Sequence, residues 1–236
     1  MYIQQTLHVI SKQDLPIDSK PTLLSWSSGK DSAYALHLLL KDPSVNLLGL
    51  FTTVNQQFER VAMHAVRIHL LQEQAKQIGL PIHIIEIPFP CSNADYKKIM
   101  GEFITKIQAD HIEVVAFGDL YLEDIRDYRM AQMDGTGIEP IFPCWGIDTT
   151  ELSKTIIDIG IKANITCIDP KQISPNFAGH AFDQDLLNSL PNSIDPCGEN
   201  GEFHTFVYDS PDFSNPINIT QGETVERDGF VFTDWQ

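Results

Sequence analysis

The sequence predicts an α/β protein: a parallel sheet with helices on both faces, followed by a smaller α+β region. Three observations carry this. Short apolar runs alternate with amphipathic segments of helical period across the first half, as strand–helix–strand units do. The first run passes through a Ser/Gly turn directly into a helix pattern. The second half changes texture, with proline- and glycine-punctuated stretches that end in short β-like runs.

In order along the chain, residues 22–26 form the first strand and residues 32 to about 40 the first helix. Residues 45–52 read as a second, buried strand. Val61, Ala65, Ile68, Leu71, Ala75 and Ile78 recur at helical spacing, with Gly79 and Pro81 as the stop. A third strand at 82–87 is bounded by Pro88 and Pro90. A helix follows over 96–107, and a fourth strand at 113–117 runs into Gly118-Asp119. Ligands in such sheets bind beyond the carboxyl ends of the strands. Ser27 to Asp31 and Gly118-Asp119 therefore share one rim. The second half holds a helix at 151–159 and a strand at 163–168. A long irregular stretch comes next, of a kind that is usually functional. Short β-like runs fill 203–232.

At 236 residues the chain has room for one large or two modest domains, and texture and charge place the boundary between residues 132 and 133. Residues 1–132 carry 15 acids and 12 bases, whereas residues 133–236 carry 17 acids and 4 bases, together the net charge of −16. That balance disfavours a whole-surface nucleic-acid footprint and adhesion to anionic membranes. Hydrophobic content of 42% with 20% charged residues excludes a disordered chain. Cys91, Cys144, Cys167 and Cys197 form no C-x-x-C pair, which reads as reduced thiols. The first twenty residues lack a secretory apolar core, and no run approaches a membrane span. The expectation is a soluble, cytoplasmic protein.

The strongest chemical signal is Ser27-Ser28-Gly29-Lys30-Asp31-Ser32 between the first strand and its helix. Successive amides of such a turn and the helix N-terminus make an anion site; Gly29 permits close backbone approach and Lys30 adds charge. It is not a Walker A loop, because Leu24 stands at that motif's first glycine, and G-x-G-x-x-G is absent. The plain alternative is a Ser-rich turn in which Asp31 only favours the helix start. Glu199 and Glu202 sit three apart in a Gly-flanked loop, as a substrate-binding or base pair or as solvated acids. Arg126 and Arg129 fall on one helical face, to reach phosphate or to pair with Glu123, Asp124 or Asp127. His64 and Arg67 sit similarly near the rim. Cys197 lacks a basic neighbour and reads as inert, and Phe142 and Trp145 as packing.

The Ser27–Ser32 run resembles the S-G-G-x-D-S loop of the PP-loop ATP pyrophosphatases, with Ser28 at the first glycine, which excludes a φ that glycine alone adopts. Phe117-Gly118-Asp119, the 122–126 segment L-E-D-I-R, Pro143-Cys144-Trp145 and the 197–207 segment C-G-E-N-G-E-F-H-T-F-V resemble the diphthine–ammonia ligase family. The form of the last segment is closest to bacterial relatives. Asn200 stands where that family often has glycine. The resemblance covers about residues 20–215 and implies a HUP-like (Rossmann-like) fold. It also implies an AMP- and pyrophosphate-forming ligase that adenylates a carboxylate and amidates it with ammonia or an amine.

By resemblance, ATP binds at Ser27, Ser28, Gly29, Lys30, Asp31, Ser32, Gly118 and Asp119, and Asp31 and Asp119 hold Mg²⁺. Lys30, Asp31, Glu199 and Glu202 are the implied catalytic residues, and Glu199, Gly201, Glu202, His204 and Thr205 the acceptor-binding ones. Implied partners are a small-molecule or peptidyl carboxylate acceptor and an ammonia or amine donor; a homo-oligomer is left open. The alternatives are a PP-loop tRNA-modifying enzyme, which predicts a basic tract and, for thiolation, a cysteine pair, or a non-catalytic nucleotide-binding module, which predicts a damaged loop.

Overall fold

The computed structural model describes residues 18–57, 60–61 and 66–236. His64, Ala65 and the opening segment read for a leader lie outside them. The first sheet is built from β1 (Lys20–Ser25), β2 (Val45–Asn55), β3 (Arg60–Val61), β4 (Ile82–Ile87), β5 (Val114–Ala116) and β6 (Glu139–Ile141). Its parallel strands lie in the order β4-β2-β1-β5-β6, and β3 adds an antiparallel hairpin at the end of β2. The chain works outward from β1 in one direction, then returns and works outward in the other. This is doubly wound topology, and the crevice between the carboxyl ends of β1 and β5 is its switch point.

Alternation along β1 explains the two faces. Leu24 and Leu50 point to the side covered by α1 (Lys30–Lys41) and α2 (Ile68–Ile78). Leu23 and Phe51 point to the other, where α3 (Asn93–Ala109) supplies Met100, Phe103 and Ile107. Period-2 strands with opposed helices leave no apolar face open.

Two elements depart from the sequence expectations. Val61 is a strand residue, paired with Val54, rather than part of a helix. Its amide donates to the Val66 carbonyl at 2.9 Å, and α2 begins only at Ile68 with Arg67 as its cap. β6 takes the first sheet past residue 132, so the boundary read at 132–133 falls before the sheet's last strand. Pro140 in its middle hides it, and an edge strand tolerates that proline because its N–H side needs no partner.

After α4 (Glu123–Met133) and α5 (Thr149–Asp158), a second sheet forms from β7 (Lys162–Ile168), β8 (Phe203–Asp209), β9 (Gln221–Arg227) and β10 (Phe230–Trp235). It is antiparallel in the order β8-β7-β10-β9. The intervening stretch holds a 3₁₀ turn and the short helix α6 (Gln184–Ser189). One apolar cluster runs from Leu24, Trp26 and Leu36 through Leu152 and Ile165 to Phe206 and Val231, so the two sheets share a core. At the far edge Asp234 binds both Arg67, through two bonds of 3.0 and 2.6 Å, and Arg60, at 2.9 Å. The Arg67 bond holds the Asp234 carboxyl well below the ordinary range. Arg67 is thus a tie between the halves, not a rim ligand. All four cysteines are free thiols, and no helix of the described residues is long and apolar enough to cross a membrane.

Candidate functional site

A cavity of about 260 Å³ opens at the switch point. Ser27 comes to it from the turn after β1, Lys30, Asp31 and Ser32 from the start of α1, Gly118 and Asp119 from the turn after β5, Leu122 from the cap of α4, and Ile125 and Arg129 from α4 itself. Gly198, Glu199, Gly201, His204 and Thr205 close it from the second half. The two turns read from the sequence as sharing one rim therefore meet, and the C-terminal motif meets them.

The turn owes its shape to a few bonds. Ser28 sits at φ 71, a left-handed conformation that costs a non-glycine residue roughly 1–2 kcal/mol. Ser28 does not line the cavity. Its carbonyl turns inward and accepts from the Val207 amide at 2.9 Å and from Gln74 Nε2 at 3.1 Å, while its Oγ is buried and unpartnered. Gln74 is fully buried and also donates to the Val207 carbonyl and accepts from Trp26 Nε1. One amide side chain thus joins Trp26 at the end of β1, the turn and β8.

α1 leaves its first amides without intrahelical partners, as every helix does. Gly29 donates to Ser27 Oγ at 3.3 Å and Lys30 to Thr205 Oγ1 at 3.1 Å. The amides of Asp31 and Ser32, which line the cavity, have no protein acceptor among the described residues. With the positive end of the helix dipole behind them, they form an anion site. Ser27 and Ser32 hydroxyls lie 3.1 Å apart beside it. Gly118 is required by proximity: a Cβ there would meet Asp31 C and Ser32 N at 3.2 Å.

Lys30 is not a free point charge. Its side chain is 2% exposed, and its ammonium donates to both Asp31 oxygens at 2.9 Å and to the Cys197 carbonyl. Burial works against that charge, but Asp31, Cys197 and Glu199 together outweigh it and hold the Lys30 pKa above its ordinary value. Lys30 and Thr205 together tie the turn to the C-terminal motif.

The two glutamates of that motif have opposite fates. Glu199 lines the cavity, and its Oε1 accepts from the Leu120 amide at 3.1 Å. Burial first, and the Asp31 carboxylate second, push its pKa up to about 7, the range suited to a general base. Glu202 departs from the expectation: it is 2% exposed, does not line the cavity and holds the loop together. Its Oε1 accepts from the Asp195 amide at 3.0 Å and from Asn200 Nδ2 at 3.1 Å. Asn200 earns its side chain there, and also accepts from the Tyr121 hydroxyl at 3.1 Å. Gly201 and His204 line the cavity.

Asp31 and Asp119 bring two carboxylates to one cavity, and Asp119 Oδ2 is buried without a hydrogen-bond partner. Burial pushes the Asp119 pKa up, against the pull of Arg129. Oxygen donors of this kind fit a magnesium ion, which is usually held by one or two carboxylates together with substrate phosphates. Among the described residues no group of three or more His, Cys, Asp or Glu is poised as a metal cluster. Burial pushes the thiol pKa values of Cys144 and Cys197 well up in the same region, so both are inert.

The sequence singled out Arg129 without assigning it. It shares a face of α4 with Leu122 and Ile125, three and seven positions on from the first, and all three reach the cavity. Arg126 instead stacks on Trp145, 4.6 Å from the ring centroid, and on Phe142. Gln74 was missed altogether, although a glutamine inside the apolar stripe of Leu70, Leu71 and Ala75 is a signal of its own.

A doubly wound parallel sheet with a helix N-terminus at its switch point, closed by a second, antiparallel sheet, defines a two-part α/β protein. More narrowly, the chain belongs to the diphthamide synthase family: the family's N-terminal domain model matches residues 20–134 and its C-terminal domain model residues 148–233. It is similar to the diphthine–ammonia ligase of Bos taurus, 22% identical over 87% of this chain and 85% of that one. The Homo sapiens protein of the same name is 21% identical at the same coverage. A solved structure titled as a predicted subunit of tRNA methyltransferase, from Methanocaldococcus jannaschii, aligns over 61% of this chain and 77% of its own. Its identity is 18% and its TM-score 0.38.

Proposed function

We propose that the chain is an ATP-dependent ligase that adenylates a carboxylate and then amidates it with ammonia or an amine, releasing pyrophosphate and AMP. The observation that carries this reading is the joint construction of one cleft. Open amides at the start of α1 face a glutamate whose pKa lies near 7, and Lys30 and Thr205 bind the two walls together. The diphthine–ammonia ligase names of the relatives support the reaction type. For this chain the acceptor is proposed only as a carboxylate.

In this reading the amides of Asp31 and Ser32 and the hydroxyls of Ser27 and Ser32 hold the β- and γ-phosphates. A carboxylate oxygen of the acceptor attacks the α-phosphorus, the bond to the bridging oxygen breaks, and pyrophosphate leaves against donors already in place. Preorganised donors of that kind are worth roughly 10²–10³ in rate each. The nitrogen nucleophile then adds to the acyl carbon, Glu199 takes the proton it sheds, and AMP departs with the former carboxylate oxygen. Asp31 and Asp119 would hold Mg²⁺, which when bound neutralises charge on the phosphates. Residues after the first sheet, with their acidic excess, favour an acceptor or donor bearing a cation.

The test is isotope exchange between labelled pyrophosphate and ATP, run without ammonia across a panel of carboxylates. Exchange that depends on one carboxylate and persists in E199Q, while amide formation on adding ammonia is lost in that variant, supports the reading. ATP turnover with that panel but no exchange overturns it.

A further inference from the structure

Two atoms of the cleft face each other without bonding. Arg129 Nε and Asp119 Oδ2 stand 3.7 Å apart, and both are sealed from water with no hydrogen-bond partner. A charged N–H to carboxylate bond ordinarily spans about 2.7–2.9 Å, so this pair stops short of contact. Buried polar atoms are almost always satisfied, and an exception calls for a reason.

The surroundings supply one. The Arg129 guanidinium lies over the Phe117 ring at 4.8 Å, which fixes its plane. Leu122 and Ile125 stand beside it on the same cavity wall, and both are apolar. Of the two Lys/Arg side chains that line the cavity, Lys30 is already bonded to Asp31 and Cys197. Arg129 is the one whose Nε donor is unfilled. Guanidinium is suited to planar, two-oxygen anions.

We propose that Arg129 is the cleft's receptor for an oxyanion of the ligand, a carboxylate or phosphoryl oxygen, and that Asp119 faces it across 3.7 Å until the ligand arrives. The inference rests on the reading of this cleft as the site for nucleotide and acceptor. A cation taken up by Asp119 would free the guanidinium further.

The test is calorimetric binding to the full chain in chelator, with AMP as the phosphoryl probe and hexanoate as the carboxylate probe. Adenosine and pyrophosphate serve as controls. R129M weakens at least one of the two probes tenfold or more, and R129K weakens it less. D119N, which removes the competing carboxylate, tightens that same probe threefold or more. A loss confined to AMP assigns the phosphoryl source, and one confined to hexanoate the acceptor's carboxylate. Binding of both probes by R129M within twofold of the parent overturns the proposal, as does D119N weakening the probe that R129M weakens. A parent that binds ATP but neither probe overturns this proposal alone; a parent that binds no ATP removes the nucleotide reading with it. Should R129M fail to fold by circular dichroism, R129K and D119N still decide by their opposite signs.

Discussion

Replacing Glu199 by glutamine gives a test of the cleft's electrostatics that needs no knowledge of the acceptor. The carboxyl has a pKa near 7 in the folded chain against an ordinary 4.5. Its protonated form is thus the one the fold prefers. A raised folded value contributes stability that is fully present below about pH 4.5 and is lost as pH rises through about 7. The shift alone converts to an upper bound of about 3.4 kcal/mol. Glu199 is only partly buried, and solvent screening reduces that to about 1–2 kcal/mol. Glutamine keeps the size, cannot ionise and carries no such slope. Urea unfolding at pH 5 and pH 8 should therefore show E199Q gaining about 1–2 kcal/mol on the parent between the two, or roughly 2–8 °C in Tm for a chain of this size. Parallel stability curves for the two proteins over that range would refute a raised Glu199 pKa, and with it the case for a base poised at neutral pH.

Other perturbations reach the same site from different sides. G118A puts a methyl 3.2 Å from the backbone of Asp31 and Ser32, so ATP affinity measured by calorimetry should fall about tenfold, roughly 1.4 kcal/mol, with an unchanged circular dichroism spectrum. T205V strands the buried Lys30 amide and should cost about 1–3 kcal/mol in urea unfolding, most of it restored in T205S. K30M leaves the Asp31 carboxylate and the Cys197 carbonyl without their shared donor. Breaking a buried pair from one side costs about 3–5 kcal/mol, so K30M should unfold at far lower urea than K30R. In the pH profile of kcat/KM for AMP formation, activity should rise about tenfold from pH 6 to a plateau above pH 8, and E199Q should lose that limb.

Much of this was legible in the sequence because it follows from local pattern. The alternation of apolar runs with helical stripes gave β1, β2, β4 and β5 with α1 and α3, and Gly79 and Pro81 marked the end of α2. The turn from Ser27 to Ser32 announced an anion site by its position between strand and helix. What stayed hidden depends on partners distant in the chain. Val61 belongs to a hairpin because Val54 pairs with it, and Pro140 masks β6, whose identity as a strand comes from β5 beside it. Glu199 and Glu202 are equivalent in sequence. Only the fold sends one to the cavity and the other inward to the Asp195 amide. Lys30 looks like a catalytic cation in isolation, and it takes the arrival of Cys197 from the second half to make it a tie.

The central claim is that this cleft breaks ATP between its α- and β-phosphates. ATP labelled at the α-phosphate, incubated with ammonium and a panel of carboxylates, tests it most directly: the label should appear in AMP and depend on the carboxylate added, whereas label recovered in ADP would contradict adenylation at this site.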